Sequence, residues 1–129
     1  MNSHIPDFTL LDHTADLGIL VRGSDLTNLF EAAAIALIRI MVGGEPSGNT
    51  ESINISVEGQ DLNDLMVRWL GEILYLFEGE ERLITDVTIG FISASRLDAL
   101  VATVPFDPAR HEILCEIKAV TYHEIEAVS

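Results

Sequence analysis

The stretch that decides the fold runs from Asp61 to Val104, DLNDLMVRWLGEILYLFEGEERLITDVTIGFISASRLDALVATV. Its hydrophobic period changes part-way along. Leu62, Leu65, Met66, Trp69, Leu70, Ile73, Leu74 and Phe77 recur at helical spacing behind Asp61, which reads as an amphipathic helix opened by an acidic cap. Val67, Tyr75 and Leu76 lie off that stripe, so the helix is expected to be covered on more than one side. Gly71 inside it costs about 1 kcal/mol relative to Ala and indicates either close packing or simple tolerance. Glu78-Gly79-Glu80-Glu81 ends the periodicity as a charged turn. Beyond it Leu83, Val87, Ile89 and Phe91 share one face at strand spacing, and residues 97–104 are strand-like but apolar on both phases. Strands that follow one another without an intervening helix predict antiparallel pairing, not a doubly wound parallel sheet.

Working outward, Leu26, Leu29, Phe30, Ala33, Leu37, Ile40 and Met41 form a second helical stripe, with Ser24 or Asp25 to cap it and Gly43-Gly44 to stop it. Ile35 and Ile38 again sit off the stripe, so the two helices are expected to pack on each other as well as on a sheet. Gly43 to Asn49 is a loop by composition. Ile53, Ile55 and Val57 alternate with Asn54, Ser56 and Glu58, one face buried and one wet. Leu17, Ile19 and Val21 give an early strand in an N-terminal strand pair. Ile113, Cys115, Ile117, Ala119 and Thr121 give one face of a late strand, with Glu116, Lys118, Val120 and Tyr122 on the other. Pro105-Phe106-Asp107-Pro108 is a break, and Arg110-His111-Glu112 reads as a surface loop. No linker separates these parts. The expectation is one domain over residues 1–129, of α+β class, with two helices packed as a layer on a mostly antiparallel sheet.

Composition narrows the function classes. Seven Lys and Arg against 21 Asp and Glu give a net charge of −14 in 129 residues. A surface of that sign repels phosphate backbones, so tight, autonomous nucleic-acid binding is not expected. At 48% hydrophobic residues the chain has material for a real core and is not a charge-driven disordered segment. The uncharged run Ala32–Ile38 is far shorter than the ~20 residues a membrane helix needs. Met1-Asn2-Ser3-His4 carries no basic and apolar leader pattern, and Cys115 is the lone cysteine, which together fit a reducing cytoplasm.

Few motifs carry chemistry. There is no phosphate-cradling glycine loop, no nucleophile elbow and no cysteine pair for zinc. Ser93 and Ser95 read as turn formers, and Cys115 as a core thiol. Asp12-His13-Thr14-Ala15-Asp16 places two carboxylates, an imidazole and a hydroxyl in five residues between apolar segments. Asp16 and Asp12 supply oxygen for a hard cation with His13 to orient or protonate, or the same residues cap a turn. Glu116 and Lys118 share a strand face, Lys118 being the sole lysine, while Thr121 and His123 fall on the other phase. That pattern serves either a partner's charges or a solvated face with an ion pair worth about 0–1 kcal/mol. His4, His13, His111 and His123 could converge with Asp16 and Glu124 on a transition metal, although no pair has the helical two-histidine interval.

Asp12-His13-Thr14-Ala15-Asp16-Leu17-Gly18 resembles the opening signature of the archease family. Leu29-Phe30-Glu31-Ala32-Ala33 within Leu26–Met41 is similar to the family's first helix, and Asp61-Leu62 through Val67-Arg68-Trp69-Leu70 to Phe77 to its second. Pro105-Phe106-Asp107-Pro108-Ala109-Arg110-His111-Glu112 and Lys118-Ala119-Val120-Thr121-Tyr122-His123 complete the resemblance, in order, over almost the whole chain. It implies a two-layer α+β fold and a cytoplasmic, non-catalytic accessory to the RtcB-type RNA ligase of tRNA splicing and RNA repair. Such an accessory promotes guanylylation of the ligase's histidine and so allows repeated turnover. The resemblance also implies a calcium-type site between Asp16 and an acidic residue on a last strand. Here the chain ends at Ala127-Val128-Ser129, so that second ligand is expected to be missing. Asp16, Glu116, Lys118 and His123 are expected to form the surface that faces the ligase, with Asp12, His13 and Thr121 as further candidates.

Two rivals make separate demands. A metal-dependent hydrolase with Asp16 as ligand and His13 or His123 as base must turn over a small substrate unaided. A chaperone-like binding module must bind diverse proteins with indifference to Asp16 and Lys118.

Overall fold

In the computed structural model the described residues are 8–12, 17–21, 24–44 and 48–114, with backbone alone for the first two segments. Strand β1 (Phe8–Asp12) pairs antiparallel with β2 (Leu17–Val21), from Phe8 opposite Val21 to Asp12 opposite Leu17. Helix α1 (Leu26–Met41) follows, capped by Asp25, whose carboxylate accepts from the Asn28 amide at 2.8 Å. Helix α2 (Leu62–Glu78) opens the same way: Asp61 accepts from the Asp64 amide at 2.8 Å.

Between the helices lie β3 (Val42–Gly44) and β4 (Glu51–Glu58); after them come β5 (Arg82–Ile92), β6 (Arg96–Pro105) and β7 (His111–Ile113). Every ladder is antiparallel, in the sheets β1-β2, β3-β7 and β4-β6-β5. This is the expected α+β architecture. Among the described residues no helix is long and apolar enough to cross a membrane.

β6 is the central strand, and its apolar second phase is not buried on both sides: Leu100 is 44% exposed on the solvent face. Leu97, Ala99 and Val101 meet Ile55 and Val57 of β4 and Val87 of β5 beneath the helices. The opposite face carries Asn54, Ser56, Thr88 and Arg96 into solvent. Helix α2 lies over all three strands, whereas α1 touches β5, β2, β3 and α2. Leu29, Phe30, Leu37, Met41, Leu65, Met66, Trp69 and Ile73 are each at most 2% exposed, as expected for helices covered on several sides. Trp69 joins the pair, its indole N–H donating to the Phe30 carbonyl at 2.9 Å.

Several sequence expectations need correction. Gly43-Gly44 does not terminate α1 as a loop. The helix stops at Val42, which turns extended, and both glycines continue as β3 against β7. Gly44 has φ +111°, and a Cβ there would strike the Arg110 carbonyl oxygen, so this ladder requires glycine. Val87 and Ile89 share the core face, but Leu83 and Phe91 do not join them, because bulges at Thr85 and Gly90 each shift the phase of β5. Phe91 consequently sits beside Asp98 on the wet face, 51% exposed. Tyr75 is 58% exposed and covers nothing on the second side of α2. Gly71 has no heavy atom within 4 Å of a built Cβ, which decides for tolerance over close packing. Arg110-His111-Glu112 is no surface loop: Arg110 ends a turn, and His111 is 5% exposed in β7.

Candidate functional site

The residues singled out in the sequence fall at two ends of described strands. Asp12 is the last residue of β1 and stands opposite Leu17, the first of β2. The backbone entering and leaving segment 13–16 is therefore held at one cross-strand separation, about 5 Å. His13 and Asp16 lie in that segment and outside the described residues, as do Cys115, Glu116, Lys118, Thr121, His123 and Glu124. β7 leads toward the second group. Its last residue Ile113 is opposite Val42, and the Leu114 amide donates to the Met41 carbonyl at 2.7 Å. The last described residue of this part, Leu114, thus lies beside the C-terminal end of α1, the same helix that β2 contacts.

The fate of His111 bears on the four-histidine idea. Its Nδ1 accepts from the Asp107 amide at 2.9 Å and its ring lies 5.7 Å from that of Phe106. One nitrogen of a buried ring is thus committed to the backbone, which fixes the Asp107–Arg110 turn. Among the described residues no three His, Cys, Asp or Glu side chains gather where they could hold a metal ion. The calcium-type ligand set, centred on Asp16, lies outside those residues.

Two carboxyls have displaced acidities, and both serve the scaffold. The Gln60 amide donates to Asp64 at 2.9 Å, and Arg68 follows at 3.0 Å; together they hold this carboxyl below its ordinary value. Asp98 is held low first by the Ser56 hydroxyl at 2.6 Å and then by Arg96. Hydrogen bonds to the charged form lower an acid's pKa because protonation breaks them.

Two concavities are lined by described side chains. A polar cleft of about 280 Å³ runs between α1 and β5, with Glu31, Arg39 and Asp86 on its walls. The Glu31 carboxylate there accepts from the Ile89 amide at 3.4 Å. The second, of about 410 Å³, lies where both helices end. Phe77, Phe106, Pro108 and Ile113 line it over Met41, and Glu78 and Glu81 form its rim. Phe77 and Phe106 meet edge to face at 5.7 Å. The sequence reading passed over this groove, having taken its parts as a charged turn and a break. The available signal was glutamate at the end of a helix, where a cation is the favoured residue.

Two helices set against antiparallel sheets, with an acidic N-terminal hairpin beside the first helix, define a small α+β class. Residues 8–128 match the Archease protein family (MTH1598/TM1083). A protein archease of Pyrococcus furiosus is 36% identical over 89% of this chain and 83% of its own length. That of Methanosarcina mazei is 34% identical over 98% and 89%, and that of Sulfurisphaera tokodaii 31% over 92% and 86%. The solution structure of Methanobacterium thermoautotrophicum protein 1598 superposes with a TM-score of 0.66 at 28% identity, covering 92% of this chain and 86% of that one. The chain belongs to the archease family.

Proposed function

We propose that this protein is a non-catalytic activator of an RtcB-type RNA ligase, acting by promoting guanylylation of the ligase's histidine so that the enzyme turns over repeatedly in tRNA splicing and RNA repair. The observation that carries the reading is family membership across nearly the whole chain. The net charge of −14 supports it: an enzyme that grips RNA presents a basic surface, and an anionic accessory is steered to that surface without holding RNA itself. Asp12, His13, Asp16, Glu116, Lys118, Thr121 and His123 are assigned to the ligase-facing surface, with no residue in a catalytic role. Asp16 is the ligand offered to a calcium-type ion.

The test is guanylylation of the ligase followed by intact mass after one completed ligation. With this protein and GTP present, the GMP adduct is expected to reappear on the ligase, and Asp16→Ala is expected to abolish the effect. Reappearance at the same rate without the protein contradicts the reading. Turnover of a small molecule by the isolated chain, lost on chelation, would replace it with the hydrolase.

A further inference from the structure

We infer that the groove at the C-terminal ends of α1 and α2 is a docking pocket for an apolar side chain carried on a basic segment of the ligase, an inference that rests on the partner reading above. The apolar part of the argument is the groove itself. Its volume of about 410 Å³ is lined by Met41, Phe77, Phe106, Pro108 and Ile113, and Ile113 is 52% exposed. Contiguous exposed apolar surface with a polar rim marks interaction sites more often than it marks bare surface.

The basic part of the argument comes from three departures from local helix rules at one spot. Helix α2 has no cation in its last turn, ends on Glu78, and is followed by Glu80 and Glu81. The helix macrodipole places about half a negative charge at that same end, so acids there add to it instead of neutralising it. Among the described residues no ion pair reaches Glu78, Glu80 or Glu81. Glu81 also has φ +54°, the left-handed region that glycine or asparagine enters more easily. Backbone bonds hold it there: its amide donates to the Phe77 carbonyl at 3.0 Å, and its carbonyl accepts from the Phe106 amide at 2.8 Å. A carboxylate is thus kept on the groove's rim where the backbone favours no side chain. Strain and unbalanced charge kept together point to a ligand.

The charge selects the occupant. A second copy would bring the same acidic rim against this one, and of the described arginines Arg68, Arg82, Arg96 and Arg110 are paired within the chain, while Arg39 lines the separate cleft between α1 and β5. A lysine or arginine beside a leucine-like anchor satisfies both the rim and the groove.

The test is titration of the full-length chain with an RtcB-type ligase by calorimetry at low and physiological salt, together with sedimentation of each protein alone. Glu78→Gln with Glu81→Gly is expected to weaken binding about tenfold and to flatten its salt dependence, with a melting temperature no lower than wild type. Ile113→Ser is expected to weaken binding by a similar factor while the salt dependence stays. If wild type binds and both folded variants match it, the groove inference is wrong and the partner reading stands. If wild type sediments as a dimer that Ile113→Ser dissociates, the occupant is a second copy and the inference is overturned. If wild type binds no ligase at either salt, the partner reading fails and takes the groove assignment with it.

Discussion

At Trp69 one directional contact ties the two helices, and its loss should be measurable. The indole is fully buried and donates to the Phe30 carbonyl. Trp69→Phe removes the donor and opens space, so urea unfolding should show a loss of about 1–3 kcal/mol. A loss below about 0.5 kcal/mol would mean that the bond contributes nothing net. Glu81 carries the opposite expectation. An L-residue in the left-handed region costs about 1–2 kcal/mol, and glycine returns part of that gain as chain entropy, so Glu81→Gly should stabilise by about 0.5–1 kcal/mol. Asp98 supplies a pH signature. Its folded-state acidity lies below the ordinary 3.8, so its contribution is present above 3.8 and is lost as pH falls through the lower folded value. The stability gap between wild type and Asp98→Asn should therefore be widest near neutrality and narrow as the pH falls below 3.8; a gap as wide in acid as at neutrality would contradict this account. The acids at 25 and 61 were legible as caps from sequence alone, because capping is local. The strain at Glu81 was not, because nothing in a run of glutamates reports φ.

At the scale of elements, both helices were legible to within a residue, since each joins a strong 3.6-residue period to an acidic cap. The strands were legible as antiparallel and in chain order, but not in partner or phase, since β6 lies between β4 and β5. A bulge adds a residue without changing composition, so Phe91 read as core and is exposed. β3 and β7 were missed for a related reason: each has only three residues, two of them glycines in β3, and so no period to read. The glycines now separate into two kinds. Gly71 faces open space in a helix interior, so Gly71→Ala should raise stability by about 0.5–1 kcal/mol, read as a higher melting temperature. Gly44 has no such room, and Gly44→Ala should lose about 1–3 kcal/mol by opening the β3–β7 ladder. A neutral Gly44→Ala would show that the two short strands do not hold the end of α1.

For the whole molecule the governing quantity is charge. Twenty-one acids against seven bases is an unusual balance for a protein proposed to act on an RNA ligase, and steering to a basic enzyme accounts for it. The candidate surface was legible only as residue types close in sequence. How Asp16, Lys118 and His123 stand to one another depends on tertiary placement, and all three lie outside the described residues. The acidic groove was illegible for the same physical reason: Met41, Phe77, Phe106 and Ile113 are far apart in the chain and meet only where two helices end. The most direct measurement is a ligation time course with RtcB-type ligase limiting and broken RNA in excess, run with and without this protein. The account predicts product rising well beyond one equivalent of ligase only when the protein is present. Product that halts at one equivalent in both reactions, or exceeds it equally in both, would contradict it.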